Sequence, residues 1–383
     1  MNIVLVGPAW PFRGGIAETT NALYKTFLER GHNAHVVGFK KQFPKLLFPG
    51  QTQFDSSRED NLPSERTLIP WNPFTWPATA RAIRRHNPDL IIYKWWIPFM
   101  GPAFWGVSKL LGGSYRNRTA FACHNVLPHE KRAGDMLFTK MALGSGSFIM
   151  TFSKAEAETG RKLFPDRARE SIRATPLPVY ECYDEFTEGA QAARAKLGID
   201  AKKLLLFIGL IREYKGVDVL LRAMPAIIQR DPEIKLVIAG EFYEGQEKYE
   251  SLIDDLKIRD HVIVRPKFVP SHEIGLYLAA ADLNVLPYRH ATQSGILVTA
   301  YAHGCPVLVT RVGGLAEVVD DGKSGFVVEG ENPQAIADAV MNYYNTGGRD
   351  TYEPHVRAKS EEFSWHRPCE LLEAFARSAP SRP

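Results

Sequence analysis

Cysteine is scarce: four residues in 383, at Cys123, Cys182, Cys305 and Cys369. They make no CxxC pair and no zinc-ligand spacing. That excludes a disulfide framework and a zinc ribbon, and it fits four buried free thiols in a reducing cytoplasm. Long apolar runs are missing as well. The nearest, WWIPFMGPAFWGV (Trp95–Val107), is 13 residues long and broken by Pro98 and Pro102, short of the roughly 18 that a membrane helix needs. No signal peptide is expected, because MNIVLVG reads directly as a buried strand. There is no GxGxxG turn, and Phe39-Lys40-Lys41 after the second strand offers no carboxylate for a ribose, which argues against a nicotinamide cofactor. The most pointed gap is one of charge: no Asp or Glu stands between Asp282 and Glu317.

What is present is ordinary for a soluble protein: 45% hydrophobic and 23% charged residues. The length suits two domains better than one. The net charge of +4 is uneven: residues 1–185 carry +8 and the remainder −4. A basic first half suggests an anionic partner there. No basic helix, zinc knuckle or nucleic-acid reader motif accompanies it, so nucleic acid is not expected. FKKQFPKLLFPG (Phe39–Gly50) interleaves Lys40, Lys41 and Lys45 with Phe39, Phe43, Leu46, Leu47 and Phe48. Basic plus bulky apolar is the composition of a segment that lies on an anionic membrane surface.

Short apolar runs alternate with helical stretches along the chain. The first series reads IVLVG (Ile3–Gly7), AHVVGF (Ala34–Phe39), DLIIYKW (Asp89–Trp95), TAFACH (Thr119–His124) and SFIMTFS (Ser147–Ser153). A proline-bearing link, ATPLPVYECYDEF (Ala174–Phe186), follows. The series restarts with LLLFIG (Leu204–Gly209), KLVIAG (Lys235–Gly240), HVIVR (His261–Arg265), DLNVLP (Asp282–Pro287), PVLVT (Pro306–Thr310) and GFVVE (Gly325–Glu329). Nearly continuous apolar strands alternating with helices predict α/β architecture with parallel sheets covered on both faces. The reading is two doubly wound Rossmann-like domains, 1–178 and 179–362, with a ligand cleft between them, and a final helix in 363–383.

Strand-end loops are where such sheets bind ligands. In PAWPFRGGIAE (Pro8–Glu18) the pair Gly14–Gly15 opens a helix and lets backbone amides come close to a phosphate or sugar. In CHNVLPHEKR (Cys123–Arg132), His124 and Asn125 stand at a strand end among His129, Glu130, Lys131 and Arg132, a polar density that points to function. A metal held by His124 and His129 would need a third ligand that the stretch lacks. In FIGLIREYKG (Phe207–Gly216), Arg212 and Lys215 make a fork and a point charge suited to a diphosphate. In ATQSGILVTAYAHGCPV (Ala291–Val307) the polar residues Thr292, Gln293, Ser294 and Gly295 precede a predicted helix. Its first-turn amides, around Ser294, Ile296 and Leu297, suit an anion. In VGGLAEVVDDGKSGFVV (Val312–Val328), Gly313–Gly314 are expected to lead a helix with Glu317 one turn in.

GGIAE, HNVLPHE, FPGQTQ (Phe48–Gln53), IREYKG and SGILVTAYAHGCPVLVTRVGGLAEVVDDGKSGFVV, in that order over nearly the whole chain, resemble family 4 of the retaining glycosyltransferases. The resemblance implies the GT-B architecture, a nucleotide-sugar donor, a glycan or lipid-linked acceptor, no metal, and a C-terminal helix that crosses back to the first domain. It makes 1–178 the acceptor side and 179–362 the donor side. The expected absence of a metal fits the lack of an Asp-x-Asp motif in a strand-end loop; Asp254–Asp255 lie in a helical stretch and Asp320–Asp321 near a helix end. Gly14 and Gly15 would face donor phosphates and acceptor, His124 would border the anomeric centre, and Lys215 would be the clamp lysine. Arg212 stands two places beyond the family arginine, whose position here is Leu210. The family's Glu-x7-Glu pair would fall at Ala291 and Thr299, and both carboxylates are missing. Thr299 is left to bond a ribose, and Thr292, Gln293 and Ser294 to bond the sugar, by neutral hydrogen bonds weaker than charge-assisted ones. The implied work is metal-independent sugar transfer in polysaccharide or glycolipid assembly, in the cytoplasm or on the inner membrane face. A sugar-nucleotide epimerase and a non-catalytic nucleotide-sugar binder are the competing readings.

Overall fold

The computed structural model describes residues 1–12, 14–44, 54, 62–128, 132–179, 185–243 and 245–378. It divides into two compact units, one of residues 1–176 with the segment from Trp365 onward, the other Leu177–Ser364.

The first unit holds strands β1 (Asn2–Val6), β2 (Asn33–Phe39), β3 (Ser64–Leu68), β4 (Leu90–Trp95), β5 (Thr119–Cys123), β6 (Phe148–Thr151) and β7 (Ile172–Ala174). They form one parallel sheet in the order β3-β2-β1-β4-β5-β6-β7. Helices α1 (Gly15–Glu29), α2 (Trp76–Arg85), α3 (Gly101–Leu111), α4 (Asp135–Gly144) and α5 (Lys154–Leu163) connect them. The central strands are buried along their length, β4 and β5 without exception, as continuous apolar sequence requires. Two strands were not expected. SERTL (β3) and IRA (β7) are the sheet's edges, and edge strands need not be apolar.

The second unit repeats the plan with β8 (Lys203–Ile208), β9 (Ile234–Ala239), β10 (Val262–Arg265), β11 (Leu283–Leu286), β12 (Val307–Thr310) and β13 (Gly325–Val328), in the order β10-β9-β8-β11-β12-β13. Its helices are α6 (Ala190–Leu197), α7 (Val217–Arg230), α8 (Gln246–Asp255), α9 (Ser271–Ala280), α10 (Gly295–Ala302), α11 (Pro333–Asn345) and α12 (Arg349–Ser360). Asp282, the last carboxylate before the acid-free stretch, ties the foot of β11 in place. It accepts from Arg194 at 2.7 Å, from the Leu204 amide at 2.7 Å and from the Tyr344 hydroxyl at 3.1 Å.

The last helix, α13 (His366–Ser378), packs in the first unit. Glu373, 3% exposed, accepts two bonds from Arg30 at 2.6 and 3.0 Å, and His32 Nε2 lies 3.0 Å from it. Phe375 stacks on Phe148 of β6 at 4.7 Å.

Cys123, Cys305 and Cys369 are buried free thiols, and Cys182 lies outside the described residues. Among the described residues no helix is long and apolar enough to cross a membrane. The aromatic residues expected to face a membrane near Lys40 and Lys41 point inward instead. Phe39 is fully buried in β2, and Phe43 stacks on Phe99 at 6.0 Å. Lys45 and the rest of that segment through Gly50 lie outside the described residues, as does FPGQTQ.

Candidate active site

Doubly wound sheets bind ligands where the strand order reverses, at the carboxyl ends of the adjacent strands. In the second unit that place is the seam of β8 and β11.

The loop after β8 carries Arg212 and Lys215. Ile211 is fully buried and bridges to Phe242, which anchors the loop. The Arg212 guanidinium carbon stands 4.1 Å from the centroid of the Tyr243 ring, a cation–π seat. Three residues on, a single 3-10 turn (Glu213–Lys215) brings Lys215 Nζ to 5.1 Å over the Tyr288 ring. Burial pushes the Lys215 pKa down; Tyr214 opposes this and the Arg212 charge adds to it. Neither cation meets a carboxylate among the described residues. Gly216, with φ of 65°, closes the loop: a Cβ there would lie 2.0 Å from the Pro287 carbonyl oxygen.

Pro287 begins the loop after β11. Arg289 pins the two loops together, bonding both Asp218 oxygens at 2.8 Å and the Glu213 carbonyl at 2.8 Å. Tyr288 is buried beneath Lys215, and Ser294 is the N-cap of α10. The first turn of α10 holds no carboxylate, so the positive end of that helix is not neutralised from within. The amides of Gly295, Ile296 and Leu297 have no intrahelical carbonyl to bond. Thr292 and Gln293 stand half-buried just ahead.

Two expectations fail here. Thr299 is fully buried and its hydroxyl donates to the Gly295 carbonyl at 2.8 Å; the helix itself uses the group assigned to a ribose. Gly313–Gly314 do not lead a helix. Residues 311–320 form turns, closed by Leu315 N–H to Val312 and Val318 N–H to Leu315 at 3.2 Å each. Residues 311–324 link β12 to β13 without a helix. Glu317 is exposed on these turns, and Asp320–Asp321 end turns rather than a helix. The glycines pack loop on loop instead. Gly314 N–H donates to Thr292 O at 3.2 Å, and a Cβ on Gly313 would lie 1.5 Å from Ala291 O.

In the first unit the corresponding ends are those of β1, β4 and β5. Gly14, at φ 104°, caps α1 with open space beside its Cα, and Gly15 starts the helix. One turn on, Thr19 Oγ1 gives its proton to Ile16 O at 2.9 Å and lies 3.1 Å from His124 Nε2. His124 is 5% exposed; burial drives its pKa well below the usual 6.5, and the nearby Lys94 adds to this. Asn125 is half-buried beside it. Glu156 accepts from the Val126 amide and Trp95 Nε1 donates to Val126 O at 3.3 Å, which fixes the path of the chain. His129, Glu130 and Lys131 lie outside the described residues.

The structure therefore brings Arg212, Lys215, Thr292, Gln293 and Ser294 with the start of α10 to one edge of the second unit. It brings Gly14, Gly15 and His124 to one edge of the first. Sequence reasoning missed the seats: Tyr243 under Arg212, Tyr288 under Lys215, and the Arg289–Asp218 pair. Their only signal is an aromatic beside a strand-end turn, in EFYEG and PYRH. Among the described residues no group of three or more His, Cys, Asp or Glu could hold a metal ion.

Residues 202–346 match the family described as Glycosyl transferases group 1. This stretch is similar to that family's transferase domain. The chain is 32% identical over 213 residues to the D-inositol 3-phosphate glycosyltransferase of Corynebacterium urealyticum, covering 52% of this chain and 50% of that one. It spans about half the length of the curated relatives it matches. Solved structures extend the likeness beyond that stretch. Sucrose-phosphate synthase of Thermosynechococcus elongatus superposes with a TM-score of 0.75 over 98% of both chains at 17% identity. Anabaena HepE in complex with UDP gives 0.73 over 99% of both at 18%. At such identity the likeness is one of fold: two Rossmann-like α/β units, the GT-B type.

Proposed function

We propose that this protein transfers a sugar from a nucleotide-diphosphate sugar to an acceptor hydroxyl, with retention of anomeric configuration. The observation that carries the reading is the edge of the second unit, where Arg212, Lys215 and the acid-free start of α10 converge at the β8–β11 seam. Three kinds of positive charge converge there: a fork, a point charge and free amides. A diphosphate offers the matching negative charge. The solved HepE structures, bound to UDP and to UDP-glucose, support a nucleotide-sugar donor.

Breaking the anomeric C–O bond leaves positive charge on the sugar and negative charge on the departing diphosphate. Arg212, Lys215 and the α10 amides stabilise that negative charge as it develops. The acceptor oxygen forms the new bond on the face the diphosphate leaves, and a diphosphate oxygen takes the acceptor proton. No enzymic nucleophile and no resident metal enters this scheme, because the clamp supplies the charge. The Tyr288 ring seats Lys215. In the first unit the neutral His124 can exchange a hydrogen bond with a sugar hydroxyl without adding charge. The acceptor is a glycan or a lipid-linked sugar, as in polysaccharide or glycolipid assembly.

The test is thermal denaturation of the full chain with UDP, GDP, ADP and their sugars, without added metal. A ligand at 100 times its Kd stabilises by about 2.7 kcal/mol. One nucleotide class should raise the melting temperature, and Arg212→Ala should abolish the shift. No shift with any nucleotide would count against the donor reading. A shift without turnover on any acceptor would favour a binder that lost catalysis with the carboxylates missing at Ala291 and Thr299.

A further inference from the structure

Large apolar side chains are exposed at ten described positions, and six of them, Trp71, Phe74, Trp105, Leu110, Met136 and Leu137, fall between residues 71 and 137. This stretch supplies α2, α3 and α4, which pack side by side. The Trp76 ring lies against Gly106, and the backbone of Phe138 against Gly101, each closer than a Cβ would allow. Phe74 is 90% exposed and Leu137 59%. An apolar cluster of that kind on a soluble surface marks a contact site.

Charge says what it contacts. Between α3 and α4 runs an open groove of about 440 Å³ with no carboxylate in its lining. Trp105 and Lys109 form one wall, Lys140 and Met141 the other, and Arg116 stands at its end. Lys109, Arg116 and Lys140 are exposed, and none meets a carboxylate among the described residues. Lys109 also sits in the last turn of α3, where a cation offsets the helix dipole. The exposed Trp, Leu and Met side chains beside it have no such role. Protein–protein interfaces are depleted in Lys at their core, whereas Trp, Leu and Lys together form the belt of a membrane interface.

We propose that the α3–α4 face docks on an anionic lipid bilayer, with lipid phosphates in the Lys109–Arg116–Lys140 groove and Trp105, Leu110, Met136 and Leu137 at the acyl boundary. Thr119, the first residue of β5, lines the groove. Gly14 and His124 follow the carboxyl ends of strands in the same sheet, whereas the groove reaches the amino end of β5. The inference stands apart from the donor reading, since it uses none of those residues.

The test is co-sedimentation of the full chain with phosphatidylcholine vesicles, with and without phosphatidylglycerol. Binding should need the anionic lipid and fall with added salt. The triple variant Lys109→Glu, Arg116→Glu, Lys140→Glu should weaken partitioning by at least about 100-fold. The pair Trp105→Ser, Leu137→Ser should weaken it at unchanged charge. Both variants should keep the wild-type melting temperature and any nucleotide-induced shift. Absence of binding to either vesicle, or binding that ignores both variants, overturns the proposal. A dimer in solution that these variants dissolve would assign the face to a second copy of the chain and likewise overturn it.

Discussion

Lys94 and His124 share one aromatic seat: Lys94 Nζ stands 5.4 Å from the Phe152 ring centroid, and the His124 ring 4.9 Å from it. Both side chains are buried, and Lys94 Nζ has no hydrogen-bond partner among the described residues. Two positive charges cannot be held together there at low cost. His124 should therefore stay neutral in the folded protein well below pH 6.5. The pH profile of turnover should show no acid limb from His124 near pH 6.5, and an NMR titration of its ring should show the low pKa directly. Since the unfolded imidazole takes a proton below about 6.5 and the folded one does not, this residue also makes the protein lose stability as pH falls from there.

Lys94 gives a second pH signature. Burial lowers its pKa from 10.5 to about 7. Between those values the unfolded side chain carries a proton that the folded one lacks, so this group makes stability rise with pH across the window; below it the full cost of burying the charge applies. Lys94→Met should be more stable than wild type by a few kcal/mol near neutrality. The gap should close from about pH 7 to about pH 10. Urea midpoints of both proteins across that range would check it; a gap that does not change with pH would show that Lys94 keeps its proton in the fold as it does in the unfolded chain.

Replacing either clamp cation should act on the chemical step. Arg212→Ala and Lys215→Ala are each expected to lower turnover by at least about 10²-fold, the scale for losing a group that stabilises developing charge. Near-normal turnover in one variant would remove that residue from the clamp.

Gly313→Ala should separate two loops that now touch. The added Cβ would meet Ala291 O at 1.5 Å, and φ of 48° already disfavours it. A loss of more than about 1 kcal/mol of stability is expected. Because Thr292 is displaced with its neighbour, nucleotide-induced stabilisation should weaken too. Gly330→Ala, which meets nothing within 4 Å, is the control.

Glu373 should govern how firmly α13 is held. The Arg30 hydrogen bond, and then His32, lower its pKa to about 2 against burial. Its contribution is present above about pH 4.5 and is lost as pH falls through about 2. Glu373→Ala leaves Arg30 only its 3.5 Å contact with Glu370 and its contact with His366, and should cost about 2–3 kcal/mol. Hydrogen exchange of residues 366–378 should speed up more than that of β8.

The fold was legible wherever burial demanded a continuous apolar run. Every central strand of both sheets stands where its run placed it, within a residue or two. SERTL and IRA escaped because an edge strand is half-solvated and carries no such run. Arg212, Lys215 and the start of α10 were legible because they sit at strand ends. Their aromatic seats were not: Tyr243 reaches Arg212 and Tyr288 reaches Lys215 only after the sheet has brought separate loops together. Thr299 misled because its face of α10 cannot be read from an eight-residue helix in which Leu297 through Tyr301 are all buried. The glycine pair after β12 misled because glycine also serves close packing of backbone on backbone, which is its use here.

The return of α13 sets an order of events during synthesis. The second unit is one unbroken stretch, Leu177–Ser364, whereas the first is assembled from both ends of the described chain. As the chain leaves the ribosome, the earlier-made sheet waits with Arg30, His32 and the Phe148 ring bare, while the later-made unit already has all its parts. The half translated first is thus the half completed last. A nascent chain stalled before Trp365 should hold a finished second unit tethered to a first unit that chaperones can still bind.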